Sequence, residues 1–407
     1  MSLHPTSILL ILATACGSQS ALIGEQDEAL AGGKPKAADD SGSAAETSSN
    51  GTSPPPETGP CEDTTEIGLP PEEVATRLAN LMFDSSPSSE LLNAAQNGEL
   101  ATYGQVECQA LDMIEQSEHQ AGLLAFLDAW LEFSSWQHAP HPELAESVWA
   151  EMQGEASSFL ESFVASGDTT LAHLLTEPQT TIGAALAAHY GVDPVPQQGS
   201  ALVAVPGHEG VLALGLLNAS RGRIGQRGFW VARKFLCIDV APSVGQSLFE
   251  PIVGTGDPKA VEPGEGQSYR SAYDAAIDSP ACSGCHGLFD GPGHALESFD
   301  ALGRLQTTDA GEPVRTDGQL PTDLTGEVLF EAFDDTSDFI ARLADNPLVG
   351  ACLAQRAAGF VRGLEPRGTA TVLSETELQK VVERFEQKSR DLSHLLVALT
   401  QTDSFWE

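Results

Sequence analysis

The sequence predicts an all-α protein. Apolar residues recur at three- and four-residue spacings through most of the chain from about residue 70 onward. No stretch of useful length alternates with the period of two that a half-buried strand needs. The apolar share of 41% is ordinary and can fill sizeable cores, and 407 residues leave room for two or three domains.

Order is expected from Pro70. Pro71-Glu72-Glu73 open a helix with acids in the first turn, where the helix dipole favours them, and Val74, Leu78, Leu81 and Met82 share one face. Glu90 to Gln96 read as a short helix stopped at Asn97-Gly98. Val106 to Ile114, Leu123 to Phe133 and Leu144 to Val164 follow as amphipathic helices, and the dense stripe Leu123–Phe133 is a core face. Leu171 to Leu175 and Ile182 to Tyr190 add two short helices, whose His173 and His189 are expected to cap or pack, not to bind a ligand. Val192 to Pro206 reads as a linker or extended crossing, and residues 239–268 as a long Pro- and Gly-rich loop. Beyond a polar stretch to Asp323, helices are expected at Leu324 to Phe333, Phe339 to Leu343, Leu348 to Val361, Glu375 to Phe385 and Leu392 to Leu399. Ser374-x-x-Glu377 forms a capping box ahead of the fourth of these.

The first 16 residues, MSLHPTSILLILATAC, have an apolar run followed by small residues and Cys16, the pattern of an export signal ending in a lipobox. The run is too short to span a bilayer, so a lipid on Cys16 would be the membrane anchor. The amino terminus carries no Lys or Arg, and Ala13 stands where Leu is usual; the alternative is plain secretion. Residues 17 to about 65 are Gly, Ser, Thr, Pro and acid, which cannot bury enough apolar surface to offset the entropy of ordering; they read as a tether. The chain carries 58 acids against 20 Lys and Arg, a net charge of −38. Such a surface repels nucleic acid and anionic lipid, and either attracts a basic partner or is simply a solvated acidic face. The one basic cluster, Arg221, Arg223, Arg227, Arg233 and Lys234, is read either as a docking or propionate-facing surface or as local charge balance.

The chemistry concentrates in Ala281–Arg304, ACSGCHGLFDGPGHALESFDALGR. Cys282-Ser283-Gly284-Cys285-His286 is a C-x-x-C-H, the attachment pattern of c-type haem in an exported protein. Two thiols three residues apart lie on one side of a helical turn and can meet both vinyl groups of one porphyrin, and the adjacent imidazole can ligate the iron. With seven Cys and ten His in the chain, random placement gives this pentapeptide only about 0.003 times. A redox disulfide, half of a zinc site and chance are the competing readings, but no second C-x-x-C supports zinc. Setting aside Cys16 and this pair leaves Cys61, Cys108, Cys237 and Cys352, which allow three pairings.

From Asp290 the sequence runs on with Gly293, Ala295, Leu296, Glu297, Phe299, Asp300, Gly303 and Arg304. At these spacings the stretch resembles the cytochrome-type domain of large planctomycete and myxobacterial exported proteins, C-x-x-C-H followed by D-P-x-G-F-A-L-E-x-F-D-x-x-G-R. Arg227-Gly228-Phe229-Trp230-Val231 resembles the R-G-x-W-V that opens the same domain. Arg77–Asn80, Glu90–Leu92 and Leu186–Gly191 resemble the helical domain before it, and Cys352–Gly363 with Leu392–Phe405 the small helical domain after it. Gly291-Pro292 departs from the family's Pro and variable residue, His294 replaces its usual Phe, and Ala276 stands where many myxobacterial members have His. After the signal 1–16 and linker 17–65 read above, the resemblance, which covers roughly residues 70 to 405, implies helical domains flanking a loop-rich cytochrome c-like segment: helical domain 66–205, C-x-x-C-H segment 206–312 and helical domain 313–407. It also implies the pairing Cys237–Cys352, which leaves Cys61–Cys108.

On this reading Cys282 and Cys285 hold one covalent haem c and His286 is the proximal ligand. Every Met (Met1, Met82, Met113, Met152) precedes the motif, so a Met ligand downstream of it is excluded. His294 is the nearest candidate for the sixth position, a Met or His from the first domain would require docking, and a five-coordinate iron is equally open. Arg304 is a candidate partner of a haem propionate; the alternative is a salt bridge to Glu297 or Asp300. No Ser-His-Asp set, P-loop or G-x-G-x-x-G is found, and Asp290 with Glu297 makes no persuasive acid–base pair. The expected function is therefore an exported, lipid-anchored, mono-haem electron carrier of the periplasm, outer membrane or cell surface with a basic redox partner. The alternatives are a non-redox scaffold whose C-x-x-C-H is a disulfide or relic, and a haem enzyme with an open iron site.

Overall fold

The computed structural model describes residues 61–136, 141–192, 199–238, 261, 263–278, 283–284, 286–324, 328–364 and 371–407. The expected export signal and lipobox, the tether up to residue 60, the loop 239–260 and the thiols Cys282 and Cys285 lie outside the described residues.

The fold is all-α in the main, with sixteen α-helices among the described residues. The first five are α1 (Pro71–Phe83), α2 (Ser89–Gln96), α3 (Tyr103–Ile114), α4 (His119–Leu131) and α5 (Glu146–Ala165). Next come α6 (Leu171–Thr176), β1 (Gln179–Gly183), α7 (Ala184–Tyr190) and β2 (Ser200–Ala204). The middle of the chain holds α8 (Gly215–Ser220), α9 (Ile224–Phe235), α10 (Tyr269–Ile277) and α11 (Asp290–Ala295). The ribbons β3 (Thr308–Asp309) with β4 (Glu312–Pro313) and β5 (Gly318–Asp323) with β6 (Leu329–Phe333) follow. The chain closes with α12 (Thr336–Asp345), α13 (Pro347–Val361), α14 (Glu375–Gln387), α15 (Leu392–Leu399) and α16 (Asp403–Trp406). None of the described helices is long and apolar enough to cross a membrane.

Local chemistry sets the helix ends. Pro71 starts α1, and Asp84 closes it in a left-handed conformation. Thr102 and Gln105 form a capping box on α3, and Ser374 and Glu377 form the expected one on α14. Three expectations are corrected. The tether does not run to residue 65: Cys61 is bonded to Cys108, and Asp63 and Thr65 accept backbone hydrogen bonds from Gly104 and Tyr103. The helix expected over Leu324 to Phe333 is a strand over Leu329–Phe333, and residues 325–327 lie outside the described residues. Leu329–Phe333 pairs antiparallel with Gly318–Asp323, and the helix starts only at Thr336, where the Asp335 side chain accepts from Asp338 N. Strands do occur, and among the described residues they form two-stranded ribbons. β1 and β2 pair from Gln179 with Ala204 to Gly183 with Ser200, so Ile182 belongs to a strand, not to α7.

The N-terminal and C-terminal helices pack on each other as well as on the middle segment, and the buried apolar residues of all three form one continuous core. Arg384 pairs with Glu107, Tyr103 Oη donates to Asp403 at 2.5 Å, and Thr169 Oγ1 donates to Asp391 at 2.7 Å. Arg77 donates to the carbonyls of Phe405 and Trp406. Among the described residues the disulfides are the two that the resemblance implies, Cys61–Cys108 and Cys237–Cys352. The second fastens the end of α9 to α13. Closing loops of 47 and 115 residues is worth about 4 and about 5 kcal/mol in the chain-entropy model.

One buried carboxyl makes stability depend on pH. Glu155 on α5 is 1% exposed and accepts from Tyr190 Oη at 2.7 Å, Thr180 Oγ1 at 3.2 Å and Gly215 N at 3.3 Å. Burial outweighs these bonds and pushes its pKa up from 4.5 to about 7. Between those values the folded chain keeps a proton that the unfolded chain has lost, so stability falls as pH rises through that window. The full contribution is about 3 kcal/mol, at 1.36 kcal/mol per unit. His208, which burial pushes down to about 4, acts in the opposite sense. Glu155→Gln should therefore be compared with the parent: urea midpoints from pH 4 to 8 are expected to show the difference growing in the variant's favour as pH rises. A difference independent of pH would contradict the assignment.

Candidate functional site

The site is built where α10 and α11 meet the turn that carries the C-x-x-C-H. Ser268 caps α10 by accepting from Ser271 N, which projects Tyr273 and Asp274 from the middle of the helix. The described residues of the motif turn are helical, with Gly287 N donating to Ser283 O and Phe289 N to His286 O. Asp290 is the first residue of α11 and His294 lies one turn further on.

The position of α11 is fixed by close backbone contact with α9. A Cβ on Gly228 would lie 1.9 Å from Phe289 O, and one on Gly293 would lie 2.1 Å from Ile224 O. Only glycine permits this approach. Arg227, next to Gly228 and 1% exposed, reaches over the end of α11. Its Nη1 donates to Leu296 O at 2.9 Å and Phe299 O at 2.7 Å, and its Nη2 to Asn218 O at 3.1 Å and Asp300 O at 2.5 Å. Glu297 Oε1 stands 3.7 Å away as counter-charge; burial raises that carboxyl to about 7 against the pull of Arg227. The R-G and A-L-E-x-F-D segments thus hold one another.

Within this frame His286 is a half-buried imidazole with one nitrogen committed. Its Nδ1 lies 3.1 and 3.2 Å from the Asp290 carboxylate oxygens and 3.0 Å from Tyr273 Oη. Tyr273 Oη donates to Asp290 Oδ1 at 2.6 Å. Burial and the adjacent Asp290 carboxylate raise the Tyr273 pKa far above its ordinary value, so the phenol keeps its proton. Nε2 of His286 has no hydrogen-bond partner among the described residues. Phe289 packs on the imidazole with ring centroids 5.0 Å apart.

His294 is brought to the same tyrosine: the rings of His286 and His294 stand 5.9 and 6.4 Å from that of Tyr273. Its Nε2 faces Asp274 Oδ1 at 3.2 Å, and Asp274 also accepts from Arg270 Nε at 2.9 Å. Arg304 forms the Asp300 salt bridge, through Nε at 2.8 Å and Nη2 at 2.7 Å. Glu297 goes to Arg227 instead. The basic cluster divides: Arg227 and Lys234 are buried, the latter on Glu132 at 2.6 Å, while Arg221 lies over Trp136 and Arg223 over Tyr269. His173 pairs with Glu177 and His189 Nε2 reaches Leu302 O at 2.9 Å. Met82, Met113 and Met152 are all within the core, at most 1% exposed.

Sequence reasoning missed Tyr273 and Asp274. The His286–Asp290 and Arg270–Asp274 pairs are four residues apart and could have been read from helical spacing. Tyr273 precedes His286 by thirteen residues, and no local pattern joins them. No group of three or more His, Cys, Asp or Glu side chains among the described residues has the arrangement of a metal site.

Residues 69–192 match the family described as PSD4, a protein of unknown function (DUF1592). Residues 208–309 match the family described as PSCyt3, likewise of unknown function (DUF1588). The chain thus carries two domains of families whose function is unknown, the second containing the whole site. No curated protein and no solved structure matches the chain.

Proposed function

We propose that the chain is an exported, lipid-anchored mono-haem c-type protein that carries electrons at the cell envelope. The observation that carries this reading is the state of His286. It directly follows the two thiols of a C-x-x-C-H, its Nδ1 is held by Asp290 and Tyr273, and Nε2 is the nitrogen left for a metal. That donor set would fit an iron ligand whose tautomer and ring orientation are fixed by its neighbours. Haem c, when bound, supplies a one-electron couple. Cys282 and Cys285 would hold it as thioethers, and His286 would ligate it through Nε2. We assign Arg304 to the Asp300 turn rather than to a propionate, because both of its paired nitrogens already face that carboxylate. Two disulfides suit an oxidising compartment outside the cytoplasm, and the surplus of acids suits a basic redox partner.

A second reading, a haem enzyme with an open iron position, is favoured by the surroundings of the other candidate ligands. The nearest, His294, is turned onto Asp274, and the three described methionines are packed in the core. Carbon monoxide added to the reduced, haem-loaded protein separates the two. An unchanged Soret band supports six-coordinate electron transfer; a shifted band moves the assignment to the open site. Both readings require covalent attachment. Cys282→Ala and Cys285→Ala are each expected to weaken haem retention after denaturation, and retention equal to the parent's in both would overturn them.

A further inference from the structure

Resting on the haem reading above, we infer that Asp290 and Tyr273 are a pair of positioning residues that set the reduction potential of the site through His286, in opposite directions. The inference comes from the three-way contact at Nδ1. Asp290, with its side chain 5% exposed, presents both carboxylate oxygens to that nitrogen at 3.1 and 3.2 Å. An anionic acceptor draws the Nδ1 proton and makes Nε2 a stronger electron donor than a neutral acceptor would. A more basic ligand favours ferric over ferrous iron, because the ferric state carries the additional positive charge. Asp290 therefore lowers the potential.

Tyr273 works against it. Its hydroxyl donates to Asp290 Oδ1 at 2.6 Å, so part of the carboxylate's charge is engaged before it reaches the histidine. The hydroxyl also lies 3.0 Å from Nδ1, so the histidine proton is given either to the carboxylate or to the phenol oxygen. In both arrangements, removing the hydroxyl leaves the carboxylate alone facing Nδ1. Gly225 on α9 leaves room for the hydroxyl: a Cβ there would lie 2.6 Å from it.

The test is an optical redox titration of the full-length, haem-loaded protein, with haem content measured in parallel after denaturation. Asp290→Asn keeps the shape and a neutral acceptor but removes the charge. It is expected to raise the ferrous-to-ferric ratio at the parent's midpoint by about tenfold, which is 59 mV for a one-electron couple. Tyr273→Phe is expected to shift the ratio the other way. Shifts of the same sign in both variants, as loosened packing alone would give, overturn the inference, and so does an unmoved potential in Asp290→Asn. If that variant fails to fold or load, Tyr273→Phe decides: a lower potential supports the inference, and an unchanged or higher one overturns it. Parent protein without covalent haem overturns the haem reading and this inference together. Attached haem with unresponsive potentials overturns this inference alone.

Discussion

Arg227→Met is expected to destabilise the fold by about 3–5 kcal/mol, the range seen when one partner of a buried ion pair is removed. The guanidinium is buried and donates to four main-chain carbonyls, two of them from the turn that closes α11. Methionine fills much of the volume and satisfies none of these acceptors, and each carbonyl left without a donor away from water costs about 1–3 kcal/mol. Glu297 loses its counter-charge at the same time. Lysine would not repair the damage, since one ammonium cannot reach four acceptors spread around a planar fork. Urea denaturation of the two proteins measures the effect. A loss below about 1 kcal/mol would mean that solvent replaces the guanidinium and that Arg227 does not organise the turn.

Gly228→Val is expected to be at least as damaging, and even Gly228→Ala to cost about 3 kcal/mol, at the upper end for an overpacked core. The added Cβ would sit 1.9 Å from Phe289 O and 2.9 Å from Gly293 N, and both are main-chain atoms that cannot rotate away. Relief requires moving α11 away from α9, and with it His286, Asp290 and His294. Gly154→Ala is the control. It lies in α5 with nothing within 4 Å of the added carbon, and alanine is expected to stabilise the helix by about 0.5–1 kcal/mol. Thermal melts of the three variants should therefore fall on opposite sides of the parent. A Gly228→Ala protein that melts with the parent would contradict the close crossing of the two helices.

These two residues show what in the sequence could be read and what could not. The R-G-x-W-V resemblance marks Arg227 and Gly228 without giving a reason, and the reason is their contact with residues about seventy positions away. Helices with a strong apolar period and a cap, such as α1, α14 and α15, are legible to within a few residues because local chemistry alone specifies them. Leu329–Phe333 is misread as part of a helix because its conformation is decided by pairing with Gly318–Asp323, which no local pattern announces. The site divides in the same way. The C-x-x-C-H and its histidine are legible from spacing; Tyr273, which comes from another helix, is visible only in the fold. Sequence proximity suggests Arg304 and His294 as neighbours of a proposed haem; in the fold Arg304 faces Asp300, one of the two readings given above, and His294 faces Asp274.

The proposed attachment of haem to Cys282 and Cys285 is tested most directly by expressing the chain behind an export signal in cells that mature c-type cytochromes, and then denaturing the purified protein. Haem staining that co-migrates with the polypeptide and an intact mass raised by one haem are expected, both lost in the Cys282→Ala, Cys285→Ala double variant. A polypeptide that folds with both described disulfides formed, but shows no haem stain and an intact mass lacking the haem increment, would contradict it.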